Sequence, residues 1–165
     1  MATWYEELAK HIEANGGCRE IWRRENGDDK LYLRRFYIYK TKESESMLHQ
    51  FFLGDRGPLH NHPWPNSSLV LKTGYWEWMR DGKKYWRSEG YSGNRGATTY
   101  HKVELEPGTA GNVWTLFTTG KRVRKWDFLD NNVPIPFDEF LKKEGVENIT
   151  LPEQYTNGLF PRKIG

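Results

Sequence analysis

The residues with the most chemical promise in this sequence are histidines. His60 and His62 are separated by one residue, and on a strand that spacing turns both imidazoles to the same face. Two ring nitrogens converging from one strand need only one or two further ligands to close a metal site. His101, in a later strand, can supply the third. Neutral imidazole suits zinc, iron, nickel and copper. Taken alone, H-x-H is more often a pair of ordinary hydrogen-bonding residues. Its setting argues for more: the pair follows a break at Gly57-Pro58, precedes Pro63-Trp64-Pro65, and is followed by a strand ending at Gly74. Of the other two histidines, His11 falls on an N-terminal helix and reads as a surface residue. His49 shares a strand face with Phe51 and Leu53, where it can be a ligand, a base beside the site or a satisfied core histidine.

The elements that must position these residues are mostly strands. Tyr5, Leu8, Ala9 and Ile12 recur at helical spacing and Asn15-Gly16-Gly17 ends the run, so a helix is expected near 3–14. Turn signals then separate short runs rich in β-branched and aromatic residues: 31–40, 47–53, 67–72, 75–80, 84–87, 98–105, 113–119 and 125–128. Residues 88–97, with three glycines among polar residues, read as a surface loop. A second short helix is expected at 137–143. Strands in the middle with helices only at the ends describe a sandwich or a jelly roll within a single domain spanning residues 1–165, its core at 31–128.

Eight Trp, nine Tyr and eight Phe supply ample apolar area for a core. One cysteine, Cys18, excludes an internal disulfide framework and fits a reducing cytoplasm. No apolar run approaches the ~20 residues of a transmembrane helix, and the acidic N-terminus has no cleavable apolar stretch, so neither a membrane partner nor a signal peptide is expected. A net charge of +3 permits an anionic ligand or nucleic acid without arguing for either. There is no GxGxxG, P-loop or CxxC.

Gly57, His60-Asn61-His62 and the run from Ser67 to Gly74 resemble the first conserved motif of the cupin superfamily, a Gly, H-x-H, a Glu and a closing Gly. More closely, the chain is similar to an uncharacterised cupin-like family frequent in bacteriophage and bacterial genomes. The resemblance rests on Leu48-His49-Gln50-Phe51, His60-Asn61-His62-Pro63-Trp64, Ser68 to Glu77, Tyr100 to Leu105, Trp114 to Gly120 and Arg124-Lys125-Trp126. It implies a cupin-type antiparallel β-barrel or jelly roll, with His60, His62 and His101 around a divalent transition metal: Fe2+ first, with Zn2+, Ni2+ or Mn2+ also compatible. The departures matter equally. The superfamily's Glu ligand falls on Ser67, a poor ligand, and the Pro-x-Gly usual before the third histidine is missing.

Glu77 can take the fourth place if a three-residue turn pairs Leu71 with Tyr75, which puts Ser67, Leu69, Tyr75 and Glu77 on one face. A two-residue turn at Thr73-Gly74 turns Glu77 away, to stand solvated beside Lys72. Glu77 and His49 are therefore the candidate catalytic bases. Trp64, Tyr75, Arg124 and Trp126 are the candidate substrate-binding residues, with Trp114 packed in the core and Lys121-Arg122 at a solvated strand end. The resemblance fits a metal-dependent dioxygenase, or an isomerase or epimerase, acting on a small polar molecule. The competing class is a non-catalytic cupin module or phage accessory protein that binds a small ligand or a host partner. A homodimer, and the host cytoplasm for a phage-encoded chain, are compatible with either.

Overall fold

The computed structural model describes residues 1–144 and 148–149. Helix α1, Trp4–Ala14, opens with a reciprocal cap: Thr3 Oγ1 accepts from the Glu6 amide (3.3 Å), and the Thr3 amide donates back to the Glu6 carboxylate (2.9 Å). Twelve strands follow: β1 Cys18–Glu25, β2 Asp28–Lys40, β3 Glu45–Phe51, β4 Asn66–Lys72, β5 Gly74–Met79, β6 Lys84–Ser88, β7 Ser92–Arg95, β8 His101–Glu104, β9 Val113–Thr119, β10 Asp127–Asp130, β11 Val133–Pro136 and β12 Asn148–Ile149. Helix α2, Phe137–Glu144, lies between the last two.

Every strand pair is antiparallel. One layer is a seven-stranded sheet in the order β12-β1-β2-β3-β9-β4-β7. The facing layer comprises β6-β5-β8 and the β10-β11 hairpin. His60 joins these two pieces by bridging to His101 on one side and Phe128 on the other. The fold is the antiparallel jelly roll expected of a cupin, with a short helix at each end of its strand framework.

The large sheet has two useful faces. Outward, Tyr5, Ala9 and Ile12 of α1 pack on Cys18, Phe36, Leu48 and Trp114, which places Trp114 in the core as expected. Inward, alternation along each strand gives a graded interior. One row, Leu33–Phe51–Val113, joins Val70, Tyr75 and Val103 in a second core. The next inward row, two residues along, is polar: Arg19–Arg35–His49–Thr115 in direct cross-strand register.

Four expectations are corrected. Strand β4 does not form a hairpin with β5: Thr73 (φ +67) and Gly74 (φ +117) carry the chain from one sheet to the other, so neither turn register applies. A Cβ on Gly74 would sit 2.5 Å from the Arg87 carbonyl oxygen, and only glycine fits that crossing. Within the stretch read as a surface loop, Ser92–Arg95 pairs with β4 as an edge strand. The N-terminal boundary of the β core lies before residue 31, because Cys18–Glu25 pairs with Asp28–Phe36 of β2 through an Asn26-Gly27 turn with both φ positive. The last strand of the core region begins at Asp127 and pairs with Val133–Pro136, a strand not expected.

Leu48, fully buried between α1 and the large sheet, leaves a cavity there when truncated. Leu48→Ala should cost about 2–5 kcal/mol of unfolding free energy in urea denaturation.

Candidate functional site

The H-x-H segment is not a regular strand; it is a short extended piece clamped from both sides. The amide of His60 donates to the His101 carbonyl, and the amide of His101 donates to the His60 carbonyl, both at 2.9 Å. Asn61 is fully buried and exchanges bonds with Asp127: its amide donates to the Asp127 carbonyl (3.0 Å), and its Oδ1 accepts from the Asp127 amide (2.8 Å). The expected consequence of the spacing survives, since His60 and His62 turn to the same side. The Nε2 atoms of His62 and His101 stand 2.9 Å apart. One ligating atom from each of His60, His62 and His101 lies within 4.8 Å of the others, so the three are placed to bind a metal ion. Two nitrogens at right angles around one metal, each ~2.1 Å from it, would be ~3.0 Å apart.

Burial keeps the imidazoles of His60 and His62 neutral. It pushes the pKa of His60 down to about 4 against the pull of Asp55. It also pushes His62 well below its usual value, helped by His101, His60, Arg35 and His49. Neutral imidazole is the form that binds metal. The ring of His62 lies between two indoles, stacked on Trp64 (centroids 5.3 Å apart) and Trp126 (6.2 Å).

Each clamped end has a carboxylate behind it. Glu77, 1% exposed, accepts from or bonds His101 Nδ1 at 2.7 Å through Oε2, while Arg87 Nε (2.9 Å) and Arg95 hold Oε1. Glu77 is thus neither solvated beside Lys72, which pairs with Glu6, nor free to be the fourth ligand: its oxygens are committed. It backs His101 as carboxylates commonly back metal-binding histidines, fixing tautomer and ring angle. Burial raises its pKa, but the bonds from His101 and Arg95 overcome that and leave it at about 2. Asp55 stands 3.8 Å from His60 Nε2 and is itself fixed by the Tyr32 hydroxyl and the Val103 amide (2.8 Å).

The cluster opens on a cavity of about 540 Å³ between the two layers. Trp64, Tyr75 and Trp126 line it; Arg124 does not, because its guanidinium is taken by Asp127. His49 lines the cavity but lies outside the metal-binding group. It stacks on Phe117 (5.0 Å), and burial, then Arg35, holds its pKa well below normal. Ser68, not Ser67, faces the cavity, so the position of the superfamily's Glu points away from the site. Sequence reasoning missed the interior arginines, above all Arg35, and Asp55. The signal was available only in part: Arg35 shares strand parity with Leu33.

No family model matches the chain, and no curated protein matches it. Among solved structures it is similar to the polyketide cyclase RemF from Streptomyces resistomycificus, at 14% identity over 76% of each chain (TM-score 0.47). It is similar to a cupin superfamily protein from Desulfitobacterium hafniense DCB-2, at 15% identity over 59% of this chain and 81% of that one (TM-score 0.46). It is also similar to KdgF from Halomonas sp., at 18% identity over 61% and 86% (TM-score 0.44). The likeness is one of strand framework.

Two expected outcomes follow from the buried ionisable groups. Glu77→Gln should weaken metal binding about 10–100-fold in a metal titration, and should lower the melting temperature because Arg87 and Arg95 lose their buried counter-charge. Stability of the metal-free protein should fall with acidification in two windows. His60 binds a proton more readily unfolded than folded, so its contribution is present above about pH 6.5 and lost as pH falls towards 4. The Glu77 contribution is present above about pH 4.5 and lost as pH falls through 2. Chemical denaturation at a series of pH values checks both.

Proposed function

We propose that this chain is a metal-dependent enzyme in which His60, His62 and His101 hold one divalent transition metal, and that its reaction is oxygenase-like. The observation that carries the reading is the convergence of three mostly buried imidazoles, two with Nε2 atoms 2.9 Å apart, in a largely aromatic cavity. A metal on three neutral imidazoles, with further positions open, supplies Lewis acidity or a site for dioxygen.

The chain's own residues arrange the rest. Glu77 holds a proton on His101 Nδ1, which leaves the Nε2 lone pair directed at the metal position. Trp64 and Trp126 stack on the His62 ring and hold its orientation. The Tyr75 hydroxyl, pushed up to about 12 by burial and by Glu77, stays protonated and can only donate or accept a hydrogen bond.

The same inventory weighs against isomerase or epimerase chemistry, which needs a general base able to take a proton from substrate. Of the cavity carboxylates, Glu77 and Asp55 are bound to other groups, and Glu144 is exposed at the end of α2. His49 is the remaining base, and its burial makes it a weak one. With no strong base at hand, the reactivity must come from the metal, which favours iron and oxygen chemistry. One observation supports the competing reading of a non-catalytic binding module: Ser67 stands where the superfamily places its carboxylate ligand and faces away from the cavity.

Metal analysis of the purified protein separates these readings. Near-stoichiometric iron supports the oxygenase, zinc or nickel supports isomerisation, and a protein that neither contains nor takes up metal supports the binding module. His62→Ala should lower metal affinity by at least a hundred-fold while shifting the melting temperature of the metal-free protein by only a few degrees. The two packed cores fold the chain without metal, unlike a zinc finger.

A further inference from the structure

One wall of the cavity carries a charge that no described residue answers. Among the described residues, five arginines and three carboxylates line the cavity. Asp55 and Glu77 are committed to the partners named above. Arg95 is bound to Glu77, Arg23 donates to the Gly54 carbonyl (2.8 Å), and Arg19 and Arg56 have partners of their own. Arg35 is different. It makes no ion pair or hydrogen bond with another described residue, and its Nε is buried without a partner.

Its position makes this costly. Arg35 is directly opposite Arg19 on β1, and like charges in direct cross-strand register repel. On its other side it is directly opposite His49 of β3, whose Nε2 is also buried without a hydrogen-bond partner. Two neighbouring polar groups thus face the same cavity unsatisfied, and one bears a full charge. Buried groups of this kind call for a partner. From there, one aromatic ring leads to the metal-binding cluster: Phe117 stacks on His49 (5.0 Å) and also touches His62 (6.0 Å) and Trp64 (6.0 Å).

We propose that Arg35 and His49 form a carboxylate subsite, and that the substrate is a small organic acid whose apolar body lies along Phe117 and between Trp64 and Trp126, with its reacting end at the three-His cluster. This rests on the reading of the cavity as a substrate cavity beside a metal. A guanidinium fork matches a carboxylate bidentately. A single unpartnered arginine in an aromatic chamber suits a monoanion better than a phosphate dianion, which would need more donors. Arg35 is a binding residue here, remote from the reacting atoms.

The test is calorimetric binding of benzoate, phenylacetate and 3-phenylpropionate, each against its neutral amide, to metal-loaded and to chelator-treated protein. The wild-type chain should prefer at least one acid over its amide about ten-fold or more in both forms. Arg35→Gln should abolish that preference in the chelated protein. Arg35→Lys, which keeps the charge, should restore part of it and controls for misfolding. A preference confined to metal-loaded protein, or one that survives Arg35→Gln in chelated protein, overturns the subsite, and so does the absence of any acid preference in the series. A chain that binds no metal yet keeps the Arg35-dependent preference would overturn the enzyme reading and leave the subsite standing.

Discussion

His60 and His101 exchange both of their backbone hydrogen bonds at 2.9 Å, and the candidate site depends on that exchange. It pulls a segment with no strand of its own into register between β8 and the β10-β11 hairpin, so that a sheet otherwise split in two becomes one layer. It also sets the distance between two ligating side chains by backbone geometry rather than by flexible rotamers. Asn61 completes the clamp from the other edge by bonding Asp127 through both its amide and its side chain. A pair of histidines on a free loop would pay conformational entropy to converge on an ion. Here most of that cost is met during folding, because the segment is needed to close the layer.

The same strands explain why a cavity exists at all. The interior rows of the large sheet change character within two residues, from Leu33, Phe51 and Val113 to Arg35, His49 and Thr115. The first row packs against the facing sheet and the second does not. α1 meanwhile seals the outer face with Tyr5, Ala9 and Ile12, so stability does not depend on filling the interior. A second, separate core releases the inner one to be partly hollow, which is the usual condition for a ligand chamber in a small barrel.

Much of this was legible in the sequence, and the parts that were not fail for identifiable reasons. Turn residues and runs of β-branched and aromatic residues located most of the central strands, and the spacing of Tyr5, Leu8, Ala9 and Ile12 with the stop at Asn15-Gly16-Gly17 bounded α1 closely. Histidine spacing gave the three residues that cluster. The sheet change at Thr73-Gly74 was hidden because the turn residues of a hairpin and of a crossover are alike; the distinction lies in what pairs with Arg87 and Trp114, which is tertiary. Strand β1 was missed since its inward residues, Arg19, Ile21 and Arg23, are mostly charged, and a charged alternation reads as a solvated surface. Arg35 escaped for the same reason. Glu77 was noticed but misplaced: its role needs Arg87, Arg95 and His101 together, three residues from three strands that only the fold assembles.

The displacement of Glu77 bears on the charge of the whole site. A divalent ion held by three neutral imidazoles brings its full charge into a buried chamber, and the superfamily's carboxylate ligand would offset part of it. With serine at that position and turned away, the negative charge sits one layer further out, on Glu77 behind His101 and Asp55 near His60. Glu77 cannot serve fully as the offset, because two arginines already claim its oxygens. The chamber that would receive the metal is therefore cationic before the metal arrives, with Arg35 unanswered on its wall. An anion entering such a chamber gains from both charges at once, while a second cation or a neutral polar molecule gains from neither. The absence of a carboxylate among the three clustered histidines and the unpaired Arg35 are then two sides of one electrostatic arrangement, to which an anionic ligand would bring negative charge.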